Sequence, residues 1–299
     1  MAISSLFFQF LCHHESVAPR AIVQLAHGMA EHSGRYKHFG ERLAANGIMV
    51  YANDHRGHGK TGEKQGIFGH FHNENGFERA VTDLKEINEF IHLNNQEIPV
   101  FIMGHSMGSF LVRRFVQRYQ GVVNGVILSG TGGDPKFAGK VARRLAKNQM
   151  KTFGKEAKSP LLNKLIFGSY NKKIKSPNTN YDWLSRDAKE VQSYIEDPYC
   201  GFIPTSGFFN DLLDGLELIH DDKEIERIEK KLPFFFFSGD RDPVGNNTKA
   251  IVTVLAQYKK HGIDQVDYKF YKNGRHEMLN ETNRDEVITD VIKWLERQF

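Results

Sequence analysis

The residues most able to do chemistry cluster at Gly104-His105-Ser106-Met107-Gly108, between an apolar run, PVFIMGHS (Pro99 to Ser106), and a helical pattern from Met107 to Tyr119. A serine on a sharp strand-to-helix turn adopts strained backbone geometry, so its neighbours two places away must be small. The turn lifts the hydroxyl above the strand ends and sets it at the positive end of the following helix. A serine hydroxyl is a weak nucleophile at neutral pH and needs a base, and the base needs a group to hold it. Of fourteen histidines, His276 stands in Asn273-Gly274-Arg275-His276-Glu277, between the last strand pattern and the last helix. The acid is expected after the preceding strand, in Gly239-Asp240-Arg241-Asp242-Pro243. Asp242 is preferred, because Asp240 lies nearer the strand end and closes the turn. Asp134, after the fourth strand, is the alternative acid. Ser106, His276 and Asp242 together predict nucleophilic attack on an acyl carbonyl.

Such attack needs donors aimed at the developing oxyanion. One is expected from the backbone N–H of Met107 and the other from that of Met29, in His27-Gly28-Met29. His27 then supports the turn and takes no part in chemistry. Asp54-His55-Arg56-Gly57-His58-Gly59 resembles a metal cluster in composition, but its two histidines lack further ligands at suitable spacing. It reads as a loop ordered by hydrogen bonds of Asp54 and Arg56. No phosphate loop or dinucleotide fingerprint occurs, so neither a metal nor an organic cofactor is implied, and no nucleic-acid partner.

These residues need a scaffold, and the chain supplies one. Apolar runs at Ala21 to Gly28, Ile48 to Asp54, Pro99 to Ser106 and Gly125 to Gly133 alternate with amphipathic stretches, the pattern of a parallel sheet flanked by helices. Alternation stops for about a hundred residues and resumes with LPFFFFSGD (Leu232 to Asp240) and VDYKFYK (Val266 to Lys272). The expected class is α/β, with a core of residues 1–133 and 232–299 and a helical cap inserted at 134–231. A chain of 299 residues, 40% hydrophobic and 25% charged, is ordinary for a soluble globular protein. The first fifteen residues, MAISSLFFQFLCHHE, read as a strand rather than a signal peptide, because no basic segment precedes the apolar run and no cleavage site follows it. His13-His14 is expected at the surface where that strand ends. Cys12 and Cys200 read as free thiols, which predicts a reducing, cytoplasmic setting.

The net charge of +4 hides an asymmetry. Lys136 to Lys175 holds twelve Lys/Arg and one acidic residue, leaving 28 basic and 35 acidic residues elsewhere. Lys136 to Lys151 plots as an amphipathic helix, with Lys136, Lys140, Arg143, Arg144, Lys147 and Lys151 on one side and Phe137, Val141 and Leu145 beside and opposite them. One expectation is a cap helix with its apolar stripe on the core and a solvated basic face. The other is peripheral docking on an anionic membrane. Phe202, Phe208, Phe209, Leu212 and Leu213 are candidates to line an acyl pocket beneath the cap, or to fill the core between its helices.

The motifs now assembled resemble the monoacylglycerol lipase and lysophospholipase branch of the α/β-hydrolases, grouped with serine aminopeptidase-like enzymes. The matching segments are HGMAEHSGRY (His27 to Tyr36), NDHRGHGKT (Asn53 to Thr61), GHSMGS (Gly104 to Ser109), SGDRDPVG (Ser238 to Gly245) and GRHEM (Gly274 to Met278). The order Ser, Asp, His along the chain is also that of α/β-hydrolases. The resemblance implies the same three catalytic residues, the Met29 and Met107 donors, and hydrolysis of a single-chain acyl ester. Ser109 stands where many relatives have a second glycine. The insertion does not match the lid of the mammalian lipases, although DPYCGFIPTSGFFNDLLDGL (Asp197 to Leu216) resembles bacterial members described as lysophospholipases. A small-peptide, amide or short-chain ester hydrolase on the same three residues is the alternative, and a non-catalytic binding protein a more distant one.

Overall fold

The structure, a computed structural model, describes residues 8–12 and 18–299; His13-His14 lies outside the described residues. The strands are β1 (Phe8–Cys12), β2 (Ala21–Ala26), β3 (Ile48–Asn53), β4 (Val100–His105), β5 (Gly125–Ser129), β6 (Phe234–Gly239) and β7 (Val266–Tyr271). They form one sheet in the order β1-β3-β2-β4-β5-β6-β7. Only β1 runs antiparallel, on the outer edge of β3. Between them lie α1 (Lys37–Ala44), α2 (Gly59–Gln65), α3 (Gly76–Asn94) and α4 (Met107–Arg118), then α5 (Lys136–Phe153), α6 (Pro160–Phe167), α7 (Ala188–Glu196), α8 (Ser206–Ile219) and α9 (Asp222–Glu226), and last α10 (Lys249–Lys260) and α11 (Arg284–Glu296).

The inner strands β2, β4 and β6 are buried along their whole length, as strands covered on both faces must be. The run of four phenylalanines in β6 shows how one sequence serves two layers, because alternate side chains point to opposite faces. Phe235 and Phe237 pack with Trp294 of α11 and Phe39 and Leu43 of α1 on one face. Phe234 and Phe236 pack with Tyr258 of α10 and with α3 and α4 on the other. At the edge strand β7 the first five residues are only partly buried or exposed.

Strand β2 has β3 on one side and β4 on the other, so the chain changes direction across the sheet there. The loops leaving the carboxyl ends of β2 and β4 open a crevice at that point. Helices α5 to α9 all lie between β5 and β6, and α8 packs on α3, α4 and α5. Gly139, Ala142 and Ala146 are the buried positions of α5, and Ala142 and Ala146 join the core cluster that α8 also enters. This revises the expectation for α5. Phe137 (78%) and Val141 (50%) are exposed, and only Leu145 of that apolar set packs on the core. Arg143 turns toward α8, pairing with Asp214 and Glu217. Among the described residues, no helix is long and apolar enough to cross a membrane.

Candidate active site

The turn between β4 and α4 holds Ser106 at φ 51° and ψ −118°, a left-handed conformation that costs a non-glycine residue energy. Packing maintains it. A side-chain carbon on Gly104 would run into the Gly108 carbonyl, and one on Gly108 into the carbonyl of Ala26 at the end of β2. The Ser106 N–H donates to Ser129 O at the end of β5 (2.9 Å), tying the turn to the neighbouring strand. Ser109, fully buried, donates its hydroxyl to Ser106 O (2.5 Å), so serine here adds a brace that glycine would lack.

His276 follows β7, and Asp242 follows β6. The His276 Nδ1 lies 3.0 Å from both Asp242 oxygens, with both residues buried. Asp242 also accepts from Ser238 Oγ (2.9 Å) and Val244 N–H (2.9 Å), which fixes its carboxylate. Burial disfavours the His276 imidazolium, but the Asp242 carboxylate outweighs burial and raises its pKa above the ordinary histidine value. Ser106 and His276 line one cavity of about 790 Å³. No hydrogen bond joins their side chains, as is common before substrate enters. Asp240 instead accepts from Asn273 N–H (2.8 Å) at the surface, closing the turn as expected. Asp134 accepts from Lys136 N–H (2.7 Å) at the cavity rim.

A histidine serving as general base acts only when neutral. Because the His276 pKa is raised, kcat/KM is expected to fall with acidification through a midpoint above 6.5, the ordinary histidine value. A pH–rate profile on a substrate without ionisable groups tests this. A midpoint at or below the ordinary value would refute the coupling to Asp242.

Among the described residues, neither the Met29 nor the Met107 amide hydrogen-bonds to any protein group. Both residues line the cavity, and Met107 opens α4, whose positive end adds to the pull on an anion. Glu31 shapes the loop around Met29. Its Oε1 accepts from Gly28 N–H (2.5 Å) and Tyr36 Oη (2.8 Å), and its Oε2 accepts from Arg35 (3.0 Å). Arg35 reaches on to Glu277, next to His276, through a two-pronged pair at 2.6 and 2.7 Å. Burial would raise the Glu277 pKa, but the Arg35 guanidinium holds it well below the usual carboxylate range. One guanidinium thus links the Met29 loop to the His276 loop. Glu31, Arg35 and Glu277 were not singled out from sequence. The signal was present, in a Glu and an Arg four residues apart in HGMAEHSGRY and a Glu beside the histidine.

The insertion braces the same loop. Trp183 O accepts from His276 N–H (3.3 Å) and Leu184 O from Glu277 N–H (2.7 Å), while Arg275 donates to the Asp182 and Ser185 carbonyls. The Trp183 ring lies 5.1 Å from the His276 ring.

The histidine-rich loop is structural. The His27 Nε2 accepts from His55 N–H (3.0 Å), so its Nδ1 donates to Gly28 O (2.7 Å), and burial keeps His27, His55 and His58 neutral. Asp54 accepts from Ser33 and Lys60, and Arg56 forms a buried pair with Asp83. Phe202, Leu212 and Leu213 line the cavity. Phe208 and Phe209 do not: both are fully buried, with the Phe208 ring 4.5 Å from Phe71 and both side chains in the core between α8, α3 and α4. On α8, residues 212, 213 and 216 face the cavity, and residues 208 and 209 lie one turn earlier against the sheet-side helices. Cys200 is a free thiol.

The sheet order, the flanking helices and the serine on its strained turn define an α/β-hydrolase. Residues 17–283 match the family model Hydrolase_4, described as "Serine aminopeptidase, S33", and the chain belongs to that family. It is 28% identical over 284 residues to the monoacylglycerol lipase of Mycolicibacterium smegmatis, covering 93% of this chain and 88% of that one. It is also 28% identical over 292 residues to the human monoglyceride lipase, covering 94% and 84%. A thermostable carboxyl esterase from Bacillus coagulans, solved with glycerol, superposes with a TM-score of 0.89 at 27% identity, over 97% of this chain and 98% of that chain.

Proposed function

We propose that Ser106, His276 and Asp242 form a catalytic triad that hydrolyses the ester of a single-chain lipid, a monoacylglycerol or lysophospholipid. The chain is a carboxylic-ester hydrolase, in keeping with its similarity to monoglyceride lipases. In the proposed cycle His276 takes the proton of Ser106 as Oγ attacks the acyl carbonyl, and the amides of Met29 and Met107 hold the oxyanion. The protonated imidazole then gives its proton to the leaving alcohol. Water, deprotonated in turn by His276, releases the fatty acid from the acyl-enzyme.

One observation carries the substrate class: the serine and the pinned imidazole stand at a cavity of about 790 Å³ whose walls include Phe110, Phe167, Leu213 and Leu216. That volume lies within the range of about 300–1,000 Å³ for small-molecule sites. Against the peptidase alternative, the cavity carboxylates Glu31 and Glu277 are both bound by Arg35 rather than left open to a substrate amino terminus.

The proposal includes docking on anionic membranes. Phe137, Val141, Leu161 and Leu165 are exposed on α5 and α6, and Lys136, Lys140 and Arg144 stand exposed on the same segment. Apolar side chains turned outward among basic ones suit a lipid surface better than plain solvent.

A single experiment addresses both parts. Fatty-acid release is measured from monoacylglycerol and lysophosphatidylcholine of several chain lengths, in neutral micelles and in anionic vesicles, for the native chain and for Lys136→Ala/Lys140→Ala/Arg144→Ala. Release from micelles by both proteins is expected. Vesicle binding by the variant should fall about a hundredfold, at about 1 kcal/mol per basic residue. Undiminished vesicle binding would overturn docking. No release from either lipid, with a small activated ester still cleaved, would overturn the lipid assignment.

A further inference from the structure

Arg113 lies seven residues beyond Ser106 on α4, in a helix whose neighbouring side chains Leu111, Val112, Phe115 and Val116 are buried and apolar. It is fully buried itself. The other buried arginines, Arg56 and Arg114, each face a carboxylate, and Arg113 faces none among the described residues. A buried cation without a counter-ion is costly, and an aliphatic side chain would fill the space at no such cost.

Two carbonyls accept from it, beside the Tyr258 hydroxyl, and the positions of those carbonyls are informative. Nη1 donates to Gly132 O (3.0 Å), where the chain leaves β5 to begin the insertion. Nη2 reaches Ile219 O (3.4 Å), the last residue of α8, where the insertion ends its run over the core. A helix carboxyl end carries partial negative charge, which suits a guanidinium. Gln117, one turn further along α4, donates to the same Ile219 carbonyl (3.2 Å), and Gln257 of α10 to His220 O (3.0 Å). Both stems of the insertion are therefore fastened to the helix that begins at the nucleophile. Between those stems lies a wall of the cavity, formed by Gly132, by Leu213 and Leu216 of α8, and by Phe110, one turn before Arg113 on α4.

We propose that Arg113 is a positioning residue for the acyl chain: by clasping Gly132 and Ile219 to α4 it fixes the separation of the cavity walls, and so governs binding of long acyl groups without touching the bond-breaking step. The inference rests on the lipid-ester reading for the identity of the substrate.

Arg113→Met keeps the apolar bulk and removes the clasp. Kinetics are compared on a long-chain monoacylglycerol and on an activated acetate ester, whose acyl group is too short to reach the wall. Leaving the Gly132 carbonyl unpaired, and the Ile219 carbonyl with Gln117 as its remaining side-chain donor, should raise KM for the long-chain ester about tenfold, with the acetate kcat changed by less than about twofold. Arg113→Lys, which still reaches one carbonyl, should fall between. Equal losses on both esters, or an unchanged long-chain KM, would overturn the proposal. If Arg113→Met fails to fold, Gln117→Leu is measured in the same assay, with a smaller rise expected in the same direction; no rise again overturns it. If the native chain cleaves no monoacylglycerol, the substrate reading fails separately, and the comparison is made on the longest acyl ester that it does cleave.

Discussion

Ser106→Ala is expected to lower kcat for ester hydrolysis about 10⁶-fold with KM little changed, leaving a rate about 10³-fold above water. The residual rate belongs to the donors. The Met29 and Met107 amides lie on backbone that the substitution does not touch, and Gly104, Gly108 and the Ser129 carbonyl hold the turn whichever residue occupies it. The proposed nucleophile is lost, and the neighbouring Ser109 cannot replace it, being buried with its hydroxyl donating to Ser106 O. Labelling by a fluorophosphonate should vanish in the same variant. Retention of more than about a hundredth of the native kcat would mean that another residue attacks.

Asp242→Asn is expected to cost about 10⁴-fold in kcat. The carboxylate is fully buried and already accepts from Ser238 Oγ and Val244 N–H, so its two oxygens can only present lone pairs to His276 Nδ1. This forces the proton onto Nδ1 and leaves Nε2 free to take one from serine. An amide nitrogen in that place offers a donor instead and favours the opposite tautomer. Asp134→Asn provides the comparison, with no more than a few-fold effect expected, because Asp134 is engaged with Lys136 N–H at the rim. If the Asp134 variant were the one to collapse, the acid would have to be reassigned.

The parts legible in the sequence were those whose physics is local. The strands at Ala21, Ile48, Pro99, Leu232 and Val266 were marked by apolar runs that match the observed strands to within two residues at their starts. The small residues flanking Ser106 announced a turn that tolerates nothing larger. The pairing of His276 with Asp242 followed from where loops leave a parallel sheet. What could not be read depends on which faces meet in space. The stripe of α5 was placed on Phe137, Val141 and Leu145, whereas the buried positions are Gly139, Ala142 and Ala146, with only Leu145 of the larger residues packed on the core. Phe208 and Phe209 are as apolar as Leu212, and one helical turn decides which face the core and which the cavity. Arg113 gave no periodic signal at all, since its meaning lies in two carbonyls more than 15 residues away along the chain.

The hydrogen bonds from the His276 loop to Trp183 and Leu184, with those from Arg275 to Asp182 and Ser185, bear on how such enzymes can be recombined. A chimera that exchanged α5 and α6 alone would leave these bonds whole, provided that the new α5 fits against α8. A transplant of the entire segment between β5 and β6 would carry away the backbone acceptors that hold the His276 loop. The grafting boundary in this scaffold therefore falls within the segment between β5 and β6, between Phe167 and Asp182, rather than at its ends.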